Sequence, residues 1–395
     1  MDVTLHASPG LASGKPPAAH LTVLDGWRGL SIICVLASHL LPLGEKAWQV
    51  NVSIGIFGMV LFFNLSGFLI TSFLLKDQHL GTFMIRRLCR VLPLAWLYLV
   101  LALVLSDASL YAWYSHLLFF ANMPPQSLLP MTAHIWSLCV EVQFYFGVAL
   151  LVLLLGRRGL YLLPFLAIGF TLLRAHAGIY ANSFTYYRVD EILAGSMLAL
   201  FYHEPWGRWW RVRLARIPQT ALFFLLIACC MPFGEWLNYF RPYVSALLLG
   251  ATLLNPNSVL VRYLHAKVLV FLAGISYALY IIHPMLVHSW LGSGDLYVRY
   301  EKRPLLLLVL FALAYLSTRY YESYFIGLGK RWTQGFRKQP SARAEPLPMS
   351  PHAPLSDQSV STTVQTSPNE PVPDGAPLAS PDPVTVPARP SMLGK

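Results

Sequence analysis

The sequence predicts an all-α fold, a polytopic membrane bundle of about ten transmembrane helices. The chain of 395 residues is 56% hydrophobic and only 12% charged, and its mean hydropathy is +0.53. Apolar runs long enough to cross a bilayer recur along most of the sequence, which is not the pattern of a soluble globular protein. We therefore expect a single integral membrane domain over residues 21–330.

The formal net charge of +11 raises the question of nucleic-acid binding. The basic residues lie in short loops between apolar runs, as in the cytoplasmic loops of membrane proteins, so we exclude nucleic acid as a partner. The five cysteines lie in or beside apolar runs and form no CxxC pattern. We expect buried thiols, with no disulfide and no metal site, at Cys34, Cys89, Cys139, Cys229 and Cys230.

The elements can be assigned in order along the chain. Residues 1–20 contain a single lysine and lack the compact apolar core of a cleavable signal, so we expect a disordered cytoplasmic N-terminus and a retained first helix. Several of the expected spans are shorter than the roughly 20 residues that a straight span needs, which predicts tilting or extension into the loops. The ten expected spans cover residues 22–43, 54–76, 88–106, 134–155, 160–177, 189–203, 217–233, 239–254, 267–290 and 304–328.

Loop charges indicate the orientation. If the chain alternates across the membrane, most basic loop residues fall on one side, which the positive-inside rule makes the cytoplasm, and both termini are then cytoplasmic. Arg299, Lys302 and Arg303, on the opposite side, weaken this asymmetry. After residue 338 the composition changes to Pro, Ser, Thr, Ala and Val, so residues 339–395 are expected to form a disordered cytoplasmic tail.

The first candidate site is the pair Arg28 and His39, eleven residues apart in the first span. Eleven residues are about three helical turns and about 16 Å of rise, so the two side chains share one face at different membrane depths. Arg28 and Asp25 are the only charged residues of this span. Ionisable groups inside a membrane helix are costly and indicate a functional site. The alternative is a purely structural histidine that is hydrogen-bonded to a neighbouring helix.

A basic cluster of Arg86, Arg87 and Arg90 lies at the cytoplasmic entry of the third span. Arg87 and Arg90 are three residues apart and therefore adjacent on a helix surface. Paired guanidinium groups suit bidentate binding of phosphate. An ordinary anchor that contacts lipid phosphates has the same pattern, so the cluster alone does not decide between the two.

Further polar residues lie in the outer halves of later spans. Ser137 and Glu141 share one helix face at the start of the fourth span, and Asp190 opens the sixth. Tyr277 and His283 lie in the ninth span. Each residue alone fits a structural hydrogen bond between helices. Several ionisable groups at a depth similar to that of the first-span histidine favour a polar cavity.

At these positions the chain resembles the integral membrane acyltransferase 3 family, whose members acylate sugars and related acceptors. The resemblance covers Leu24 to about Glu322. Its landmarks, in order, are Leu24-Asp25-Gly26-Trp27-Arg28-Gly29, the Arg28 to His39 spacing, Phe62-Phe63-Asn64-Leu65-Ser66-Gly67-Phe68-Leu69-Ile70, the arginine cluster ending in Pro93, Trp136-Ser137-Leu138-Cys139-Val140-Glu141, and the Tyr-rich stretch ending in His283-Pro284.

The resemblance implies transfer of an acyl group, usually acetyl, from cytoplasmic acyl-CoA to a hydroxyl of a carbohydrate acceptor at the outer half of a bacterial inner membrane. It assigns catalysis to His39, which we expect to act as general base, and binding of CoA to Arg28 and the arginine cluster. Glu141 could orient or stabilise the imidazole of His39. Polar substrate-binding or structural roles are expected for Asp25, Ser137, Asp190, Tyr277 and His283.

Other mechanisms and functions stay open. A two-step route through an acyl-histidine is compatible with the same residues. A transporter or flippase with a polar intramembrane path is the competing function, although the sequence has no inverted repeat. Some family members append a hydrolase-like domain with a Gly-Asp-Ser motif, which this chain lacks, so the membrane domain or a separate partner is expected to complete the transfer. The acceptor could be lipopolysaccharide, exopolysaccharide, a peptidoglycan sugar, a lipochitooligosaccharide or a macrolide.

Overall fold

The computed structural model describes residues 18–334, with residue 78 omitted. The segments expected to be disordered lie outside this range, except for residues 18–20, which begin the first helix. The helices are α1 (Ala18–Leu40), α2 (Val50–Lys76), α3 (Leu80–Leu105), α4 (Leu110–Leu117), α5 (Trp136–Leu155), α6 (Leu163–His176), α7 (Val189–His203), α8 (Arg208–Leu214), α9 (Gln219–Cys230), α10 (Arg241–Leu254), α11 (Val259–Leu264), α12 (Lys267–Val287), α13 (Leu296–Glu301), α14 (Arg303–Leu316) and α15 (Ser323–Gln334).

The predicted fold class, an all-α membrane bundle, is confirmed. By length and composition, six helical segments of the described chain can cross a bilayer, and a seventh is possible if the bent pair Pro205–Leu214 and Gln219–Cys230 counts as one span. The count of ten stays a prediction, because α7, α9 and α10 have only 15, 12 and 14 residues. The six segments are Thr22–Leu40, Val50–Lys76, Leu80–Leu105, Pro130–His176, Lys267–Val287 and Arg303–Gln334.

The centre of the bundle is built on α1 and α2. Helix α1 packs along α2 and α12, and α2 packs along α7. Two glycines make the α2 to α7 contact close: a Cβ on Gly67 would lie 1.8 Å from the carbonyl oxygen of Ile192, and one on Gly195 would lie 2.0 Å from that of Asn64. The hydrophobic effect does not drive helices together in lipid, so their association depends on close packing. Small residues allow this, because two helix backbones can then approach each other closely.

Replacing Gly195 with Val is therefore expected to destabilise the fold by about 3 kcal/mol, since the backbone of α2 cannot yield as a side chain could. Gly147→Val is the matched control, because no atom lies within 4 Å of a Cβ at that position of α5. Thermal unfolding of the two purified variants in one detergent measures the difference. Equal midpoints for Gly195→Val and Gly147→Val would refute this account of the helix contact.

Helix α3 contains Pro93 and joins the bundle through α12 and α15. The Tyr277 hydroxyl of α12 donates a hydrogen bond to the carbonyl oxygen of Val91, at 2.6 Å. At the start of α3, Arg86 Nε donates to the Thr333 hydroxyl of α15, at 2.9 Å. These two bonds fix the basic first turns of α3 against the bundle.

Candidate active site

A cavity of about 380 Å³ lies between the end of α1, the first half of α2 and the segment that leads into α5. His39, Asn51, His134, Arg188 and Tyr280 are among the residues that line it. A volume of this size lies within the range of small-molecule sites. The histidine that the sequence identified therefore faces open space inside the protein rather than packed side chains.

His39 makes its hydrogen bond with the other sequence-predicted histidine. His39 Nδ1 lies 3.1 Å from His283 Nε2, and the two rings are nearly parallel, with an interplanar angle of 13°. The His39 side chain is exposed, whereas that of His283 is 2% exposed. The structure thus brings together two residues that are 244 positions apart in the sequence.

The hydrogen-bond pattern assigns a tautomer to each neutral ring. His283 Nδ1 lies 2.8 Å from the carbonyl oxygen of Tyr280, which can only accept, so Nδ1 carries the hydrogen. His283 Nε2 is then an acceptor, and His39 Nδ1 must donate to it. The Nε2 atom of His39 is left with its lone pair free. An imidazole in this state can take a proton from a hydroxyl group.

Asn51 holds the end of α1 that carries His39. Its side-chain amide donates to the carbonyl oxygens of Ser38, at 2.8 Å, and Leu41, at 2.7 Å, and accepts from the backbone N–H of Leu43, at 3.2 Å. The last carbonyls of a helix have no partner within the helix, and Asn51 satisfies that of Ser38, besides that of Leu41 just beyond the end of α1. Sequence reasoning did not select Asn51, which precedes the first apolar run of α2.

His134 was also not selected from the sequence as a site residue, although it lies two residues before Trp136. It lines the cavity, and its ring lies 5.5 Å from that of His283, edge to face. The Tyr280 hydroxyl donates to the His134 carbonyl oxygen and also bonds Ser137, both at 2.5 Å. Ser137 does not line the His39 cavity. It lines a smaller cavity of about 20 Å³.

Glu141 is placed apart from His39. Its Oε1 accepts hydrogen bonds from the Tyr145 hydroxyl and, at 2.9 Å, from the Ser66 hydroxyl of α2. It is buried and lies more than one turn along α5 from Trp136, which lines the cavity. The carboxylate therefore lies between the His39 cavity and the other end of the bundle.

Arg28 lies on the same side of the bundle as the basic cluster. The charged groups that act most strongly on it are Arg90, Arg87, Asp25 and Glu141. Asp25 in turn lies in the field of Arg28 and Arg90. Arg28 therefore lies in the field of the basic cluster, while His39 lines the cavity at the other end of the bundle.

A second cavity, of about 220 Å³, is lined by the predicted basic cluster. Arg86, Arg87 and Arg90 all contribute to its wall, together with Lys330 of α15. Lys330 was not selected from the sequence as a site residue. Four cationic side chains around one cavity form a site for a polyanion, for which phosphate groups are the natural match.

Asp190 does not line either cavity. It forms a buried ion pair with Arg174, at 2.9 Å, next to a second group in which Glu191 pairs with Arg241, at 2.8 Å, and Arg188, at 3.2 Å. All five side chains are at most 2% exposed. Within this network it is Arg188, to which sequence reasoning gave no role, that reaches the His39 cavity.

Tyr277 likewise has a structural bond, to Val91 of α3, and is absent from the cavity walls described above. In the part of the chain that the structure describes, no group of three or more His, Cys, Asp or Glu side chains is placed to hold a metal ion. Imidazole, hydroxyl and guanidinium groups are among those that line the two cavities.

Curated relatives carry acetyltransferase names. A Staphylococcus aureus (strain COL) protein named provisionally as an O-acetyltransferase is 26% identical over 366 residues, which cover 76% of this chain and 56% of that protein. The peptidoglycan O-acetyltransferase OatA of Listeria monocytogenes is 27% identical over 66% of this chain and 48% of its own length. The O-acetyltransferase OatA of Staphylococcus aureus (strain NCTC 8325) is 25% identical over 77% of this chain and 57% of its own length.

The chain thus spans about half the length of the curated relatives it matches. No solved structure matches it. A family model described as an acyltransferase domain matches residues 21–319, the stretch that holds both cavities apart from Ile326 and Lys330. Because this match covers most of the chain and contains the landmarks that predicted it, the chain belongs to the acyltransferase 3 family of membrane proteins.

Proposed function

We propose that the chain is a membrane O-acyltransferase that moves an acetyl group from acetyl-CoA to a hydroxyl of a cell-envelope carbohydrate. The observation that carries this proposal is the pair of cavities at opposite ends of α2. One is lined by Phe73 and the four cationic side chains, the other by Gly55 and His39. A phosphate-rich donor suits the first cavity, and an acceptor hydroxyl suits the second, where His39 supplies a base.

In this proposal the donor reaches His39 past polar groups that lie between the two cavities. The 20 Å³ cavity shares Val35, Met59 and Tyr280 with the His39 cavity and reaches Ser31, one turn from Arg28 on α1. Glu141 and Arg28 continue the same path towards the basic cluster. In this proposal the phosphates of CoA stay at the basic end, and the extended pantetheine arm carries the thioester along this path.

The reaction then follows from the tautomer of His39. Its free Nε2 takes the proton of the acceptor hydroxyl while the hydroxyl oxygen attacks the thioester carbonyl carbon. The new C–O bond forms, the C–S bond breaks, and the proton passes from His39 to the departing sulfur of CoA. His283 keeps Nδ1 of His39 occupied, so that the base is always the nitrogen that faces the cavity.

In this proposal Glu141 is a polar group along the path of the donor. Its hydrogen bonds are to Ser66 and Tyr145, so it supports the position of α5 against α2 rather than the ring of His39. The two-step route, in which His39 Nε2 first takes the acyl group itself, uses the same residues. It differs by one observable, a burst of free CoA in the absence of acceptor.

The proposal also fixes an orientation, with the basic cavity and both termini in the cytoplasm of a bacterium and the His39 cavity on the outer side of the inner membrane. The positive-inside rule supports it, since Arg86, Arg87, Arg90 and Lys330 lie together at one end. The name of the Listeria relative specifies peptidoglycan, so an envelope glycan is the acceptor class that we expect.

Membrane vesicles of known sidedness test donor and orientation together. Inverted vesicles expose the cytoplasmic face and are expected to consume added acetyl-CoA, whereas right-side-out vesicles are not. The matched control is the same pair of vesicles from cells with His39→Ala. Equal thioester loss with and without His39, in both kinds of vesicle, would indicate a transporter or scaffold instead.

The hydrogen bond between the two histidines gives a further prediction. His283→Phe keeps a flat ring but removes the acceptor for His39 Nδ1, so we expect kcat to fall roughly 100-fold with a smaller change in KM. His283→Gln can offer an amide oxygen in place of Nε2 and is expected to retain more activity. Steady-state kinetics of both purified variants measure this, and equal losses in the two would show that the ring, not the hydrogen bond, matters.

A further inference from the structure

Among the described residues that line the His39 cavity, Arg188 is the one with a fixed charge. The other lining groups with polar atoms include the His39 and His134 rings, the Asn51 amide and the Tyr280 hydroxyl. Arg188 is 2% exposed and lies with its guanidinium carbon 5.0 Å from the centre of the Trp136 ring, which also lines the cavity. A buried cation at the edge of an open cavity needs a physical explanation, because removing a charge from water is costly.

The carboxylates around Arg188 do not fully neutralise its positive charge. The charged groups that act most strongly on it are Glu191, Arg241, Arg174 and Asp190. Asp190 is taken by Arg174, at 2.9 Å. Glu191 is shared by two arginines and lies nearer to Arg241, at 2.8 Å, than to Arg188, at 3.2 Å. Three guanidinium groups and two carboxylates leave one positive charge in a network that is buried from solvent.

The position of this surplus charge is specific. Arg174 and Arg241 are fully buried and do not line the cavity, whereas Arg188 does. Its Nε is buried without a hydrogen-bond partner, as are Arg174 Nε and Arg241 Nη1 and Nη2, so its place in the cavity wall is what distinguishes Arg188. An anionic group inside the cavity would therefore supply the missing charge and accept the hydrogen bonds that Arg188 does not use within the protein.

We infer that Arg188 forms an anion-binding subsite beside His39, and that the acceptor carries a carboxylate or phosphate near the hydroxyl that is acylated. This inference rests on the proposed acyl transfer and adds the chemical class of the acceptor. The carboxylate would come from a sugar acid, and the phosphate from a sugar phosphate or a lipid-linked sugar. Either group would orient the acceptor so that its hydroxyl lies against the free nitrogen of His39.

The test compares anionic acceptors with a neutral one, with the full chain purified into nanodiscs and acetyl-CoA as donor. The probes are methyl glucuronide, its neutral isostere methyl glucuronamide, and glucose 1-phosphate as the phosphate arm. For the wild type we expect kcat/KM for the better anionic probe to exceed that for the amide roughly 10- to 100-fold. Which of the two anions is preferred identifies the source of the charge.

Arg188→Gln is expected to abolish this preference while it preserves slow transfer to the neutral amide. Arg299→Gln is the matched control, since Arg299 is exposed and lies outside the cavity wall. If Arg188→Gln does not fold, Arg188→Lys decides: the ammonium keeps the charge but cannot bind bidentately, so the preference should fall without vanishing. A wild type that acylates charged and neutral probes equally would overturn the inference, as would a preference that either Arg188 variant leaves unchanged.

Binding without donor separates this inference from the proposed function. Each probe is added to the protein without acetyl-CoA, and the thermal midpoint is measured, because a ligand of the folded state raises it. Stabilisation by methyl glucuronide or glucose 1-phosphate, but not by the amide, is expected in the wild type and not in Arg188→Gln. If this result holds while no probe is acylated, the subsite stands and acyl transfer fails; if transfer occurs with no charge-dependent stabilisation, the subsite fails alone.

Discussion

Replacing His39 with Ala is expected to lower kcat for acyl transfer roughly 10²- to 10⁴-fold, the contribution that a positioned general base makes. The fold should survive, because His39 borders a cavity and its removal costs one hydrogen bond and one ring contact, both with His283. The measurement is steady-state transfer of labelled acetyl from acetyl-CoA by purified protein, beside thermal unfolding of the same samples.

His176→Ala is the matched control for this variant. His176 is an exposed histidine at the end of α6, outside the cavity wall, and its removal should change neither rate nor stability. An acyl-enzyme trapped in the wild type and absent from His39→Ala would favour the two-step route. A folded His39→Ala protein with wild-type activity would remove His39 from both routes.

The second large effect is expected at the donor end. Arg87→Gln combined with Arg90→Gln removes two of the four cations that line the basic cavity, and we expect KM for acetyl-CoA to rise roughly 100-fold. The effect on kcat should be small, since these side chains lie at the other end of the bundle from His39. Initial rates at varied acetyl-CoA concentration measure both constants.

Two comparisons make this prediction specific to phosphate recognition. S-acetylpantetheine lacks the phosphates of CoA, so its poor KM should be the same for the wild type and the double variant. Arg331→Gln removes an exposed cation of α15 that does not line the basic cavity, and it should change little with either donor. An equal loss with acetyl-CoA and S-acetylpantetheine would assign the arginines to folding or orientation rather than to the donor.

The sequence predicts the fold class because lipid demands it: long apolar runs with few charges can be satisfied only by helices. The spacing of residues within one helix also follows from the sequence. The separation of Arg28 and His39 by about three turns therefore predicts that they lie at different depths. The basic cluster was predicted for the same reason, since Arg86, Arg87 and Arg90 are close neighbours on α3, whereas the cavity that it lines was not predicted.

Contacts between different helices could not be predicted from the sequence. The bond between His39 and His283 joins α1 to α12, and the approach of these helices depends on backbone packing that no single segment encodes. Glu141 illustrates the same limit: a polar face was predicted for it on α5, but the sequence did not identify its partners, Ser66 and Tyr145.

Asp190 and Arg188 show that the membrane depth of a charged residue does not by itself predict whether its side chain lines a cavity. Asp190 was expected near a polar cavity, and the structure buries it against Arg174. Its neighbour Arg188, two residues earlier, is the member that reaches the cavity. Only the pairing of all five charges, which come from α6, α7 and α10 and from the turn before α7, distinguishes the compensated groups from the one that is left over.

The most direct measurement is mass spectrometry of envelope glycans from three strains: one with the intact gene, one with a deletion, and one that expresses His39→Ala at the wild-type level. The proposal predicts that one glycan loses the mass of an acetyl group in both defective strains, which would identify acceptor and acyl group together and tie the transfer to His39. Full acetylation of that glycan in the His39→Ala strain, or envelope glycans that do not differ among the three strains, would contradict it.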